Sequence, residues 1–150
     1  MKSVAVFFGG KSVEHDISIL SGVMVLNSID KTKFNPIPVY IDKSGEWFTD
    51  PKLFDLDEYK KLETKKLKSV CIVQGQNILY QVKNKKLKKI DNIFCAVNCL
   101  HGARGEDGCL AGLLKMSDIP LTSSDLLPSA ISMDKSFSKI ALKGIGVPPL

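Results

Sequence analysis

Between Val4 and Phe8 every residue is apolar, and the run stops at Gly9-Gly10. A short apolar run ended by glycines suits a strand buried on both faces, as in a parallel sheet. From about Glu14 to Ser28, Ile17, Leu20 and Met24 recur at helical spacing, with Val13 just ahead of them. They predict a helix with that stripe as its inner face. Phe34 to Ile41 predicts a second strand, made irregular or an edge by Pro36 and Pro38. Strand, helix and strand in that order open a right-handed βαβ unit.

The stretch from Asp42 to Ile90 changes character. Gly45 to Phe48 suggests a hairpin or turn, Pro51 to Leu62 a helix, and Val70–Val73 with Ile78–Val82 two short strands joined at Gln74–Asn77. This reads as an elaboration between main strands. The buried pattern resumes at Ile93–Asn98, followed by a glycine-rich loop from His101 to Gly108 and a helix to about Met116 with Leu110, Leu113 and Leu114 inward. Ile119–Leu121 is a short strand. Pro128–Ser132 and Asp134–Lys143 read as helices, the second with Phe137, Ile140 and Ala141 inward, stopped by Gly144, Gly146 and Pro148-Pro149. A Gly-x-Gly-x-Pro-Pro stretch just before Leu150 suits a linker, so the chain is expected to be a piece of a longer protein. The expected fold is α/β: a Rossmann-like open parallel sheet with helices on both faces.

Composition keeps this within ordinary globular chemistry. Of 150 residues, 44% are hydrophobic and 25% charged. No apolar run approaches the roughly 18 residues that span a bilayer, and the apolar start lacks a cleavage site. A cytoplasmic protein with no membrane partner is the expectation. Cys71, Cys95, Cys99 and Cys109 form no Cys-x-x-Cys pair and are expected as free thiols; with His101 their spacing fits no common zinc pattern. The formal net charge of +5 is concentrated in lysines 60–68 and 83–89. With few aromatics beside them, these clusters read as a solvated edge, not a nucleic-acid surface.

Two loops carry candidate chemistry. Gly9 to Ser18 joins a strand to a helix, so its amides and the helix dipole face the carboxyl edge of the sheet, where ligands bind in open α/β folds. Gly10-Lys11-Ser12 imitates a phosphate-binding loop, but the glycine that motif needs five residues earlier is Ala5. Glu14 alone suits a capping role as well as a functional one. His101 to Gly108 is a second strand-to-helix loop, meeting the first at the same edge. Its His, Arg, Glu and Asp offer both signs of charge, which suits a zwitterion such as an amino acid. Lys135, on its own, reads as a solvated lysine.

Together these segments closely resemble the D-alanine–D-alanine ligase family. The marks are Phe8-Gly9-Gly10-Lys11-Ser12 with Glu14 to Ser18, Leu100-His101-Gly102 with Gly105-Glu106-Asp107-Gly108, Ile119-Pro120 with Thr122, and Ser129-Ala130 with Met133-Asp134-Lys135. The middle, about 42–91, is variable in such enzymes. Leu121, Ser123 and Lys115 depart from the usual pattern, outside the matched positions. The resemblance implies residues 1–124 as the N-terminal substrate domain of an ATP-grasp enzyme and residues 125–150 as the first helices of its central domain. It implies Glu14 as partner of the first substrate's ammonium, His101 near that substrate's carboxylate, Ser18 and Glu106 as supports, and Lys135 on the nucleotide phosphates. ATP, magnesium held by residues outside this chain, D-alanine and a homodimer are the implied cofactors and partners. Chemically this is coherent: a carboxylate becomes an acyl phosphate and a second amine attacks it. Two rivals remain. One joins D-alanine to D-lactate or D-serine; the other is a noncatalytic α/β nucleotide-sensing module.

Overall fold

The computed structural model describes residues 1–148. Strand β1 (Lys2–Gly9) is buried from Ser3 onward, as its unbroken apolar run requires. It pairs in parallel along its whole length with β2 (Phe34–Ile41) on one side. On its other side it pairs in parallel with the second half of β6 (Lys86–Asn98), from Ser3↔Ile93 to Phe7↔Asn98. Leu121 adds a single parallel bridge to Ala96 of β6. This parallel centre is the part the apolar runs predicted.

The sheet is mixed, however, and not open. Strands β3 (Trp47–Thr49), β4 (Lys68–Ile72) and β5 (Ile78–Lys83) follow β2 in antiparallel order. Strand β5 then pairs antiparallel with the first half of β6, so the hydrogen-bonded circuit closes into a six-stranded barrel. The expected open parallel sheet is corrected here. Its cause is β6, which begins at Lys86 and not at Ile93, turning from β5 through Asn84 and Lys85. Both have positive φ (51° and 59°), the backbone of a tight hairpin turn. Strands β3, β4, β5 and the first half of β6, all within residues 42–91, therefore form one side of the wall.

Helix α1 (His15–Ser28) covers one face of the parallel strands, where Val6, Phe8 and Tyr40 meet Ile19, Val23 and Leu26. On the other face Ala5, Phe7 and Val39 meet Val70 and Leu79 of the antiparallel strands and Leu110 and Leu114 of α2 (Cys109–Lys115). Phe7 stands edge-on to Trp47, ring centres 5.2 Å apart. Burying each such side chain contributes roughly 1.5–3 kcal/mol.

Several expected faces are corrected. Ile17, Leu20 and Met24 of α1 are exposed, as is Leu113 of α2; Ala111 faces inward instead. Helices α3 (Leu126–Met133) and α4 (Lys135–Gly144) pack on each other and bury nothing fully; Phe137 and Ile140 are 63% and 66% exposed and Ala141 is also exposed. The Pro51–Leu62 helix is two 3-10 stretches, Pro51–Phe54 and Leu56–Lys61, each started by an aspartate, Asp50 or Asp55, that accepts a backbone N–H. Strand β2 is regular despite its prolines, because β3 pairs only with Tyr40 and Ile41. Of the Pro148-Pro149 stop, Pro149 and Leu150 lie outside the described residues.

Candidate active site

The β1–α1 loop opens with Gly9 and Gly10, both at positive φ (88° and 92°). A methyl group on Gly9 would stand 2.2 Å from the Ile41 carbonyl oxygen, so no side chain fits there. Beneath the loop His15 is only 3% exposed. Its Nδ1 donates to the Gly10 carbonyl (2.7 Å), which leaves Nε2 to accept from the Tyr40 hydroxyl (3.2 Å). Burial first, then the charges of Asp42 and Asp16, push the Tyr40 phenol up to about 12. Ser18 is fully buried; it donates to the Cys99 carbonyl (2.7 Å) and accepts from Gly9 N–H (2.8 Å). One hydroxyl thus ties the ends of β1 and β6 to α1.

The β6–α2 loop is fixed from the other side. Asn98 donates to the Gly105 carbonyl and accepts from Leu100 N–H. Asp107 accepts from the N–H groups of Arg104 (2.7 Å) and Cys109 (3.0 Å). Burial pushes its carboxyl up, but those donors outweigh burial and hold it below the usual carboxylate range. Glu106 accepts from Gly102 N–H (2.8 Å) with one oxygen and sets the other 3.9 Å from His101 Nδ1. His101 Nε2 lies 3.0 Å from Ser21 Oγ on α1.

The two loops meet at Gly102. A methyl group there would stand 2.8 Å from Glu14 Oε2 and 2.7 Å from Ser12 Oγ. Glu14, His101 and Glu106 therefore share one corner of the sheet's carboxyl edge, all reachable from solvent. Lys11 and Arg104 converge nearby over Gly45, at the rim of a cavity of about 240 Å³ floored by Trp47, Leu100 and Leu110. Both signs of charge thus line one edge. Ser18 lies behind this corner, holding it. Lys135 opens α4, exposed, on the element that packs against α3.

Sequence reasoning missed His15, Ser21, Tyr40 and Asn98 as the residues that hold the loops. The signal for His15 was its place at the head of the stripe His15, Ser18, Ile19, Gly22, Val23, Leu26, which is helical in spacing and buried throughout. The four cysteines are free thiols, and burial pushes Cys99 up to about 11. Among the described residues no helix is long and apolar enough to cross a membrane.

Comparison with known proteins extends this picture over nearly the whole chain. Residues 3–124 match the family model described as the D-ala D-ala ligase N-terminus. A D-alanine–D-alanine ligase of Thermosipho melanesiensis is 43% identical over 146 residues, 95% of this chain and 40% of that protein. One from Chloroherpeton thalassium is 35% identical over 97% of the chain and 41% of its own length. The chain spans about two fifths of the length of these curated relatives. Among solved structures, the Helicobacter pylori D-alanine–D-alanine ligase superposes with a TM-score of 0.82 at 26% identity, over 97% of this chain and 45% of that one. The VanG D-Ala:D-Ser ligase of Enterococcus faecalis gives 0.80 at 30% identity, over 97% and 42%. With its N-terminal strands, both loops and the corner they form all inside the matched segment, the chain belongs to the D-alanine–D-alanine ligase family.

Proposed function

We propose that the whole protein is an ATP-dependent ligase that joins two D-alanines in the cytoplasm, through an acyl phosphate and with release of ADP, for peptidoglycan precursors. The observation that carries this reading is the meeting of Glu14 with the His101–Glu106 loop at Gly102. Glu14 takes the first substrate's ammonium, and a charge-assisted contact of that kind contributes about 1.5–3 kcal/mol. His101, steadied between Ser21 and Glu106, faces the substrate carboxylate. Ser18 and Glu106 hold the loops that carry these two groups. ATP, when bound, supplies the phosphoryl group that activates the carboxylate. Lys135, an exposed amine on the first residue of α4, fits a phosphate contact. On this reading the magnesium ligands, one or two carboxylates together with the nucleotide phosphates, lie in the part of the enzyme outside this chain.

Residues 125–150 belong, on this reading, to the central ATP-grasp domain, whose remainder covers the exposed apolar sides of α3 and α4. The outer stripe of α1, with Ile17, Leu20 and Met24 exposed and Val13 exposed in the turn ahead of it, supports a homodimer. The likeness to a D-Ala:D-Ser ligase favours one second reading, with D-serine as the second substrate. ADP release by the whole enzyme with D-alanine, D-serine and D-lactate separates the two. Glu14→Gln should raise the KM for the first D-alanine by more than about tenfold while leaving that for ATP alone. Unchanged D-alanine kinetics would overturn the assignment. The 150-residue chain by itself should form no D-alanyl-D-alanine.

A further inference from the structure

Another cavity lies at the opposite end of the parallel strands from Glu14, roughly 20 Å away by strand length. Its volume is about 660 Å³, within the range of small-molecule sites. Lys31, Lys68, Lys88 and Lys89 line it, with Asp50 as the one carboxylate. Asp50 already accepts the N–H of Lys52, and among the described residues none of the four ammonium groups pairs with a carboxylate. Two of the lysine clusters that stand out in the sequence thus supply side chains to one concavity. Gathering unpaired like charges is unfavourable without an anion to offset it.

The floor is flat and apolar. Phe54 lies 5.1 Å below the Lys31 ammonium, ring centre to nitrogen, and Pro36 and Pro38 line the wall beside it. These prolines sit where β2 has no strand partner on its β3 side. Lacking N–H groups, they keep that edge from adding a further strand and so leave the cavity to a small ligand. We propose that this cavity binds a phosphorylated small molecule with a flat apolar body, of the nucleoside diphosphate class, at a site separate from the loops around Glu14. Lys68, Lys88 and Lys89 take the phosphates, and the base displaces the Lys31 ammonium from the Phe54 ring to lie beside the two prolines. This inference is independent of the ligase reading.

Titration of the chain with pyrophosphate and with ADP, followed by amide NMR without magnesium, tests it. Shifts should centre on Thr49, Gln81 and Lys89 and spare Gly102 and Gly105, and ADP should bind more tightly than pyrophosphate. The paired change Lys68→Glu and Lys89→Glu should weaken both ligands by about tenfold or more, and Lys88→Gln with Lys89→Gln by a smaller factor. All these lysines are exposed, so the fold should tolerate the changes. Equal affinity in parent and both variants, or shifts centred on Gly102, would overturn the proposal. So would an oligothymidylate that binds more tightly than ADP, which would make the patch a nucleic-acid surface.

Discussion

Replacing Ser18 by alanine removes a single oxygen from a side chain with no solvent exposure. The hydroxyl has two partners, the Cys99 carbonyl at 2.7 Å and the Gly9 N–H at 2.8 Å, and both belong to strand ends. After the change neither bond can form, and water has little access to replace it. A buried donor or acceptor left without its partner costs about 1–3 kcal/mol, so the pair should cost about 2–4 kcal/mol. That is a large share of the about 5–15 kcal/mol that holds an ordinary domain together. At about 2–4 °C per kcal/mol for a chain of this size, Tm should fall by roughly 5–15 °C. Thermal unfolding followed by circular dichroism measures this, with Ser28→Ala as control. Ser28 is exposed and bonds only to Met24 of its own helix, so its loss should cost less than about 0.5 kcal/mol. A Ser18→Ala midpoint within about 1 °C of the parent would refute the stapling role. A stable variant with only weakened D-alanine binding would make Ser18 a direct substrate contact.

Three further outcomes follow from the site and core. Lys135→Ala in the whole enzyme should raise the KM for ATP more than that for D-alanine; the reverse order in steady-state kinetics removes its phosphate role. Gly102→Ala should displace Ser12 and Glu14 and strain a backbone held at φ 70°, so kcat/KM for D-alanine should drop by about tenfold or more, with the smaller part of the loss appearing as lower Tm. Stability should fall on the alkaline side: Cys99 and Tyr40 have folded-state pKa values raised to about 11 and about 12. Groups raised on folding stabilise fully below their unfolded values, about 8.5 and about 10, and lose that contribution as pH climbs through the folded ones. Denaturant midpoints should therefore decline between about pH 9 and 12, and Cys99→Ala should flatten the lower part of that decline.

How far the sequence could be read depended on what each element uses to hold itself. β1 and β2 are buried and announce themselves by apolar runs. Helix α1 was found at its right length but turned to the wrong side. Its buried stripe contains His15, Ser18 and Gly22, while Ile17, Leu20 and Met24 lie outside, so counting apolar residues alone selects the wrong face. The closed circuit was illegible because residues 86–92 of β6 are lysine-rich and almost wholly exposed. Hydrogen bonding to β5 makes them strand, and hydropathy carries no trace of that. The two strand-to-helix loops that carry Glu14, His101 and Glu106 were legible because glycines set them apart. The supports were not, since Asn98 and Ser21 act through single bonds to partners distant in sequence.

The pairing of β1 with β6 joins residues about 90 positions apart, such as Ser3 with Ile93. As the chain leaves the ribosome, β1 and β2 emerge early and can pair, but one edge of β1 stays bare until β6 arrives. At about 5–20 residues per second that interval is roughly 5–18 seconds. During it Val4 to Phe8 presents an apolar strand edge of the kind that recruits other nascent chains. Closing so long a loop also slows folding once synthesis ends. This domain should therefore depend on holding chaperones during translation more than a helical protein of the same length, and deleting β6 should make the remaining chain aggregate instead of folding in part.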